Sequence, residues 1–219
     1  LRKIFEHSFF PKFELERVNI DGVRHYATPD GKKYKSVTTI LGEKTDKTAL
    51  LEWRKRVGEE EANKISTQAA NRGTAIHNIA EHYLLNQESY PKGVMPTNID
   101  TFKKLRPLID ENISKIYGIE YYLYSHELKT AGATDCIADW NGIPSVIDFK
   151  TSRKLKKEEW IENYFLQATC YAMMAEELLH EWQFKVPQIV IMIAVDHEEP
   201  QVFVRDKQHY IERVKQIFC

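Results

Sequence analysis

Between residues 133 and 152, polar positions interrupt two short apolar runs joined by Asn141-Gly142, a pair that favours a tight hairpin turn. The pattern predicts two β-strands, with Asp135 on the first and Asp148 and Lys150 on the second. Upstream, residues 13–20 and 23–27 flank Asp21-Gly22, a second hairpin signal, and Pro29-Asp30-Gly31 leads into a strand predicted over 34–41. Helices are predicted over 48–57 and 64–85. In the longer one, Ile76, Ile79, Ala80, Tyr83 and Leu84 make an apolar stripe near period 3.6. Residues 91–98 read as a loop and 99–117 as a helix. A strand over 120–128 follows, with Glu127 expected close to the site formed by Asp135, Asp148 and Lys150. A helix over 156–182, strands over 189–195 and 201–204, and a helix over 206–218 complete the pattern. There is no internal repeat, low-complexity tract or interdomain linker, so residues 1–219 are expected to form a single domain. Within it, 1–63 read as a hairpin and helical extension and 64–219 as the core.

The strand period turns this outline into chemistry. Side chains two apart on a strand share a face, so Asp148 and Lys150 project together from a strand otherwise built of Val146, Ile147 and Phe149. Setting a carboxylate and an ammonium among those apolar residues is costly unless they act. Two carboxylates hold a hard divalent cation, and a neighbouring lysine stabilises charge on a phosphate. On the 64–85 helix, His77 and Glu81 are four apart and share a face. On the 156–182 helix, Trp160, Tyr164, Gln167 and Tyr171 form one stripe.

Composition narrows the picture. At 219 residues and 42 % apolar, the chain is long enough to bury one core. No apolar run approaches the roughly 20 residues that cross a bilayer, so no membrane association is expected, and the N-terminus lacks a signal-peptide pattern. The missing initiator Met leads us to expect a processed or trimmed start. Cys136, Cys170 and Cys219 do not make an even disulfide framework, so an intracellular, reducing compartment is expected. Cys136 faces away from Asp135 and reads as core. A net charge of −1 gives no bulk attraction for nucleic acid, but Lys150, Arg153, Lys154, Lys156 and Lys157 cluster just after the second acid.

Asp135, Asp148 and Lys150 in this order resemble the PD-(D/E)XK nuclease superfamily. Arg72-Gly73-Thr74-Ala75-Ile76-His77 with Glu81, and Gln167-Ala168-Thr169-Cys170-Tyr171, are similar to motifs of its RecB-like branch. The resemblance implies an α/β fold, a central mixed sheet flanked by helices, here with the N-terminal hairpin and helical extension. It is firmest over residues 68–195. Residues 35–41, Lys-Ser-Val-Thr-Thr-Ile-Leu, followed by Leu51 and Trp53, resemble the mitochondrial genome maintenance exonucleases and their phage relatives. A phage-encoded protein of a host cytoplasm and an organelle-related one both fit that resemblance.

The resemblance implies a Mg2+- or Mn2+-dependent deoxyribonuclease that degrades DNA from its ends, with single-stranded DNA as substrate, in replication, repair or recombination. Asp135 and Asp148 would bind the metal, aided by His77 and the Phe149 carbonyl. Lys150 would act electrostatically and Gln167 would brace it. Glu81 would orient His77 or stand as an outer acid. Arg72, Thr151, Ser152, Arg153 and Tyr171 would meet the substrate. Trp53, Trp160 and Tyr164 are further candidates for stacking on bases, and the N-terminal segment could arch over the site. The ligands of an iron–sulfur cluster are lacking. A duplex-trimming recombination exonuclease, a non-catalytic DNA-binding member and an enzyme acting on RNA remain alternatives, whereas a helicase-fused form is not expected, since these residues hold no G-x-x-x-x-G-K-[ST] loop.

Overall fold

Strand pairing builds one nine-stranded mixed sheet, and three adjacent strands of it carry the carboxylates and the lysine of the site. The computed structural model describes residues 2–219. The strands are β1 (Glu6–His7), β2 (Glu16–Ile20), β3 (Val23–Ala27), β4 (Lys33–Ser36), β5 (Ile113–Ser125), β6 (Thr130–Trp140), β7 (Ile143–Ser152), β8 (Gln188–Val195) and β9 (Gln201–Asp206). The helices are α1 (Val37–Lys44), α2 (Thr48–Val57), α3 (Glu59–Leu84), α4 (Pro96–Asn112), α5 (Glu162–Leu178) and α6 (Ile211–Phe218). The sheet runs β2-β3-β4-β6-β7-β8-β9, with β5 on the other edge of β6 and β1 beyond it. Strands from the first 63 residues therefore join the same sheet as the rest.

The chain is an α/β protein, a mixed sheet flanked by helices, as expected. Alternation along β8 assigns the two faces. Ile189, Ile191, Ile193 and Val195 pack with Phe165, Leu166 and Ala172 of α5, Leu41 of α1 and Val214 of α6. Val190, Met192 and Ala194 pack with Ile76, Ile79 and Leu84 of α3 and Phe102, Leu105 and Ile109 of α4. Cys136 is buried on the α3–α4 side. No described helix is long and apolar enough to cross a membrane.

Several boundaries differ from the sequence reading, each for a local reason. The strand predicted over 34–41 ends at Ser36, and Val37–Lys44 is helical. The Ser36 hydroxyl accepts the Thr39 amide at 3.1 Å, an N-cap that overrides the β-branched run behind it. The 91–98 loop gives way to α4 at Pro96, since proline suits a first helical position. That helix stops at Asn112 rather than 117. Ile113, Ile116, Tyr117 and Ile119 favour the extended state, and β5 then matches β6 from Trp140 to Thr130. The long helix begins at Glu59, after Gly58, and the 156–182 helix breaks into a short 3-10 turn, α5 and a second 3-10 turn.

Candidate active site

Strand β5 occupies one edge of β6 along its whole length. The other edge is shared: β7 pairs with residues 136–140 and β4 with residues 130–131. Between those ladders, residues 132–135 face no strand on that edge. The sheet forks there, and the polar side chains gather in the fork.

Asp135 stands at the crotch of this fork. The last ladder pair is Cys136–Ile147, and past it the Phe149 amide donates to Asp135 Oδ2 at 2.7 Å in place of a strand carbonyl. His77, from α3, lies 3.3 Å through Nδ1 from Asp135 Oδ1. Its Nε2 lies 2.6 Å from the Phe149 carbonyl oxygen and donates to it. Burial disfavours the imidazolium, but the Asp135 hydrogen bond and charge outweigh burial and push the His77 pKa up to about 9. Against the same burial, His77 and Lys150 hold Asp135 below the usual carboxylate range.

Glu120 completes this half of the site, a residue the sequence reading passed over in favour of Glu127. Counting back along β5 from the Ser125–Thr130 pair sets Glu120 opposite Asp135. Its backbone is left-handed, with φ of 44°, a sparsely populated conformation for a residue with a side chain. Ligand atoms of His77, Glu120 and Asp135 lie within 4.8 Å of one another. Glu120 is exposed as a whole, and partial burial of its carboxyl together with the Asp135 charge raises its pKa to about 7. One imidazole and two carboxylates at this spacing fit a hard divalent cation such as Mg2+ or Mn2+. Glu127 instead lies in the turn between β5 and β6 and lines a cavity with Met173, Glu176 and Lys207.

Asp148 and Lys150 make the other half. Lys150 Nζ lies 2.6 Å from Asp148 Oδ2 and 2.8 Å from Oδ1, and donates to Gln167 Oε1 at 3.3 Å. Gln167 Nε2 donates to Asp148 Oδ1 at 3.4 Å. Asp148 is 2 % exposed, and burial raises its pKa to about 6 despite the lysine. The Lys150 ammonium is held above its usual pKa, because the Asp148 and Asp135 charges outweigh burial. It therefore stays protonated at neutral pH.

The remaining candidates divide. Arg72 is ion-paired to Asp196, so its guanidinium is already engaged. Thr151 lies beside α3 near Gly73, and the Ser152 hydroxyl donates to the Lys154 carbonyl at 2.6 Å. Arg153 is exposed and donates to Gln68 of α3 at 2.9 Å. Glu81 is half-buried, and its side chain makes no hydrogen bond among the described residues. The partners of His77 are Asp135 and the Phe149 carbonyl, so Glu81 does not set its orientation. Glu81 acts instead on Glu120 through its charge. The aromatic stripe sinks as it runs along the chain: Trp160 is 62 % exposed, Tyr164 sits under the Lys150 ammonium at 5.2 Å, and Tyr171 is 4 % exposed. Tyr171 has no ring face to offer a base.

With this geometry in hand, similarity to known proteins becomes informative. No protein-family model matches the chain. It is 27 % identical over 175 residues to mitochondrial genome maintenance exonuclease 1 of Mus musculus, covering 75 % of this chain and 51 % of that protein. The chain thus spans about half the length of the relative it matches, and this similarity supports placing it in a nuclease superfamily. A crystal structure of an exonuclease candidate from Eubacterium rectale superposes with a TM-score of 0.39 and 17 % identity. That match covers 68 % of this chain and 64 % of the other, too loose a likeness to bear on function.

Proposed function

We propose that the protein is a divalent-metal-dependent deoxyribonuclease of the PD-(D/E)XK superfamily and its RecB-like branch, acting as an exonuclease on single-stranded DNA. The observation that carries the reading is the forked strand pair. Around it gather His77, Glu120 and Asp135, three groups able to hold a cation, beside a protonated Lys150 paired with buried Asp148. The exonuclease and DNA parts rest on the similarity to the mitochondrial enzyme.

His77, Glu120 and Asp135, with Asp148 adjoining, would hold a divalent cation, which would supply Lewis acidity and a readily deprotonated water. The other contributions belong to the chain. Lys150 presents a positive charge where negative charge would develop on phosphorus. Gln167 bridges Lys150 and Asp148 and so fixes the height of the ammonium over the fork. The Phe149 amide holds one oxygen of Asp135 and leaves the other towards His77. Exposed Arg153, Lys154 and Lys157, just beyond β7, supply cations for the phosphates of a strand leaving the site. Trp160, exposed beside them, offers a face for stacking.

The deciding experiment incubates 5′-labelled and 3′-labelled single-stranded DNA, its duplex and the matched RNA with Mg2+, Mn2+ or EDTA. The expected result is metal-dependent ladders on single-stranded DNA that disappear with EDTA and with Lys150→Ala. Retained DNA binding without cleavage in any metal sinks the enzyme reading. Equal cutting of duplex removes the strand preference.

A further inference from the structure

The fork has a second occupant space that the acidic cluster does not use. A cavity of about 290 Å³ opens between β3, β4, β6 and α5, lined by Arg17, Arg24, Tyr26, Thr38, Gln167 and Tyr171. It meets the cation triad at Glu120 and the lysine half at Gln167, which also lines it. We propose that this cavity binds the terminal phosphate monoester of a nucleic-acid strand, an inference that rests on the nuclease reading for its substrate.

The lining is rich in donors that have no partner. Tyr26 and Tyr171 are 7 % and 4 % exposed, line the cavity, and neither hydroxyl makes a hydrogen bond among the described residues. Both hydroxyls open onto the cavity, so each is free to donate to a ligand held there. Gly132 makes the approach possible: a Cβ there would sit 2.7 Å from the Tyr171 oxygen. Arg24 is held in place by Nε donating to the Ser36 hydroxyl at 3.3 Å and Nη2 to the Thr38 hydroxyl at 2.5 Å, which leaves Nη1 free. It pairs with no carboxylate among the described residues, and neither does Arg17. Two unpaired guanidiniums and two phenol hydroxyls match an anion with several oxygens. A diester inside a strand offers two non-bridging oxygens, whereas a terminal monoester offers three and a second negative charge. Glu120 is the single carboxylate of the lining and stands at the border with the cation triad.

Which end of the strand carries the phosphate is an outcome of the test. Binding is measured by fluorescence anisotropy in EDTA, on the full chain, with three versions of one labelled oligodeoxynucleotide: 5′-phosphorylated, 3′-phosphorylated and hydroxyl at both ends. One phosphorylated form is expected to bind about tenfold tighter or more than the hydroxyl form. Arg24→Gln should abolish that difference, and Tyr171→Phe, which keeps the buried ring, should reduce it severalfold. The three oligonucleotides binding alike, or a preference that survives both variants, overturns the proposal. Because the chelated protein does no cleavage, absence of metal-dependent cutting would remove the nuclease reading while this phosphate preference could still stand.

Discussion

Lys150 reaches both oxygens of Asp148, and that bond decides what its removal does. Lys150→Ala leaves a 98 %-buried carboxylate without its cation, so Asp148 takes up a proton more readily and the site loses its fixed positive charge. The expected loss of DNA cleavage is about 10²–10³-fold, of the order seen when an electrostatic stabiliser is deleted. Rates on a single-stranded oligonucleotide, read beside a urea unfolding curve, separate that loss from simple unfolding. Glu120 makes a different test. Protons and a cation compete for His77, with its pKa near 9, and for Glu120, near 7. Both groups shed protons when a cation binds, so Mn2+ affinity should rise as pH rises from about 6 to 9. Glu120→Gln should weaken Mn2+ and flatten the part of that rise near neutrality. Calorimetric titration in two buffers of different ionisation enthalpy counts the released protons. Affinity that does not change with pH would show that the triad does not hold the ion.

At the scale of elements, Gly58 sets the angle between α2 and α3, the helix that carries His77. Its φ of 86° and ψ of 149° lie in a region that only glycine enters readily. Gly58→Ala should destabilise the protein by about 1–3 kcal/mol, measured by chemical denaturation, without altering the chemistry of the site. An unchanged midpoint would mean that the junction relaxes freely. Junctions of this kind also mark how far the sequence could be read. The meeting of Asp148 with Lys150 follows from the two-residue strand period, and the reach of Gln167 follows from a helix placed just after it. Glu120 was hidden because its position depends on the β5–β6 register and on a left-handed backbone, neither of which leaves a local pattern. Placing the turn between Ser125 and Thr130 was the one signal able to reveal it, since equal counting from there ends at Glu120 and Asp135. Residues 37–41 misled for the opposite reason. Their β-branched composition is a local signal, but the Ser36 cap and burial of Val37 and Leu41 against α5 outweigh it. Tyr171 shows that helical spacing finds a stripe without telling where it dives into the core.

For the whole molecule, a net charge of −1 means that the proposed attraction to DNA has to come from local placement. The chain puts its exposed cations Arg153, Lys154 and Lys157 immediately past the β7 end that carries Lys150. Glu159 lies 3.9 Å from Lys157 and tempers its charge, while Arg153 and Lys154 pair with no carboxylate among the described residues. If those three side chains each meet a phosphate of a single strand, the logarithm of affinity should fall with the logarithm of salt with a slope of about −2. A fourfold rise in salt then weakens binding by about 20-fold. The double variant Lys154→Ala with Lys157→Ala should bring the slope to about −0.7 while leaving the unfolding midpoint within about 0.5 kcal/mol of the parent, as exposed positions do. Anisotropy of a hydroxyl-ended oligonucleotide in EDTA measures this slope without the terminal-phosphate cavity. A slope unchanged in the variant would move the path of the strand away from the β7 end, towards the surface of α2, where Lys55 and Arg56 are exposed.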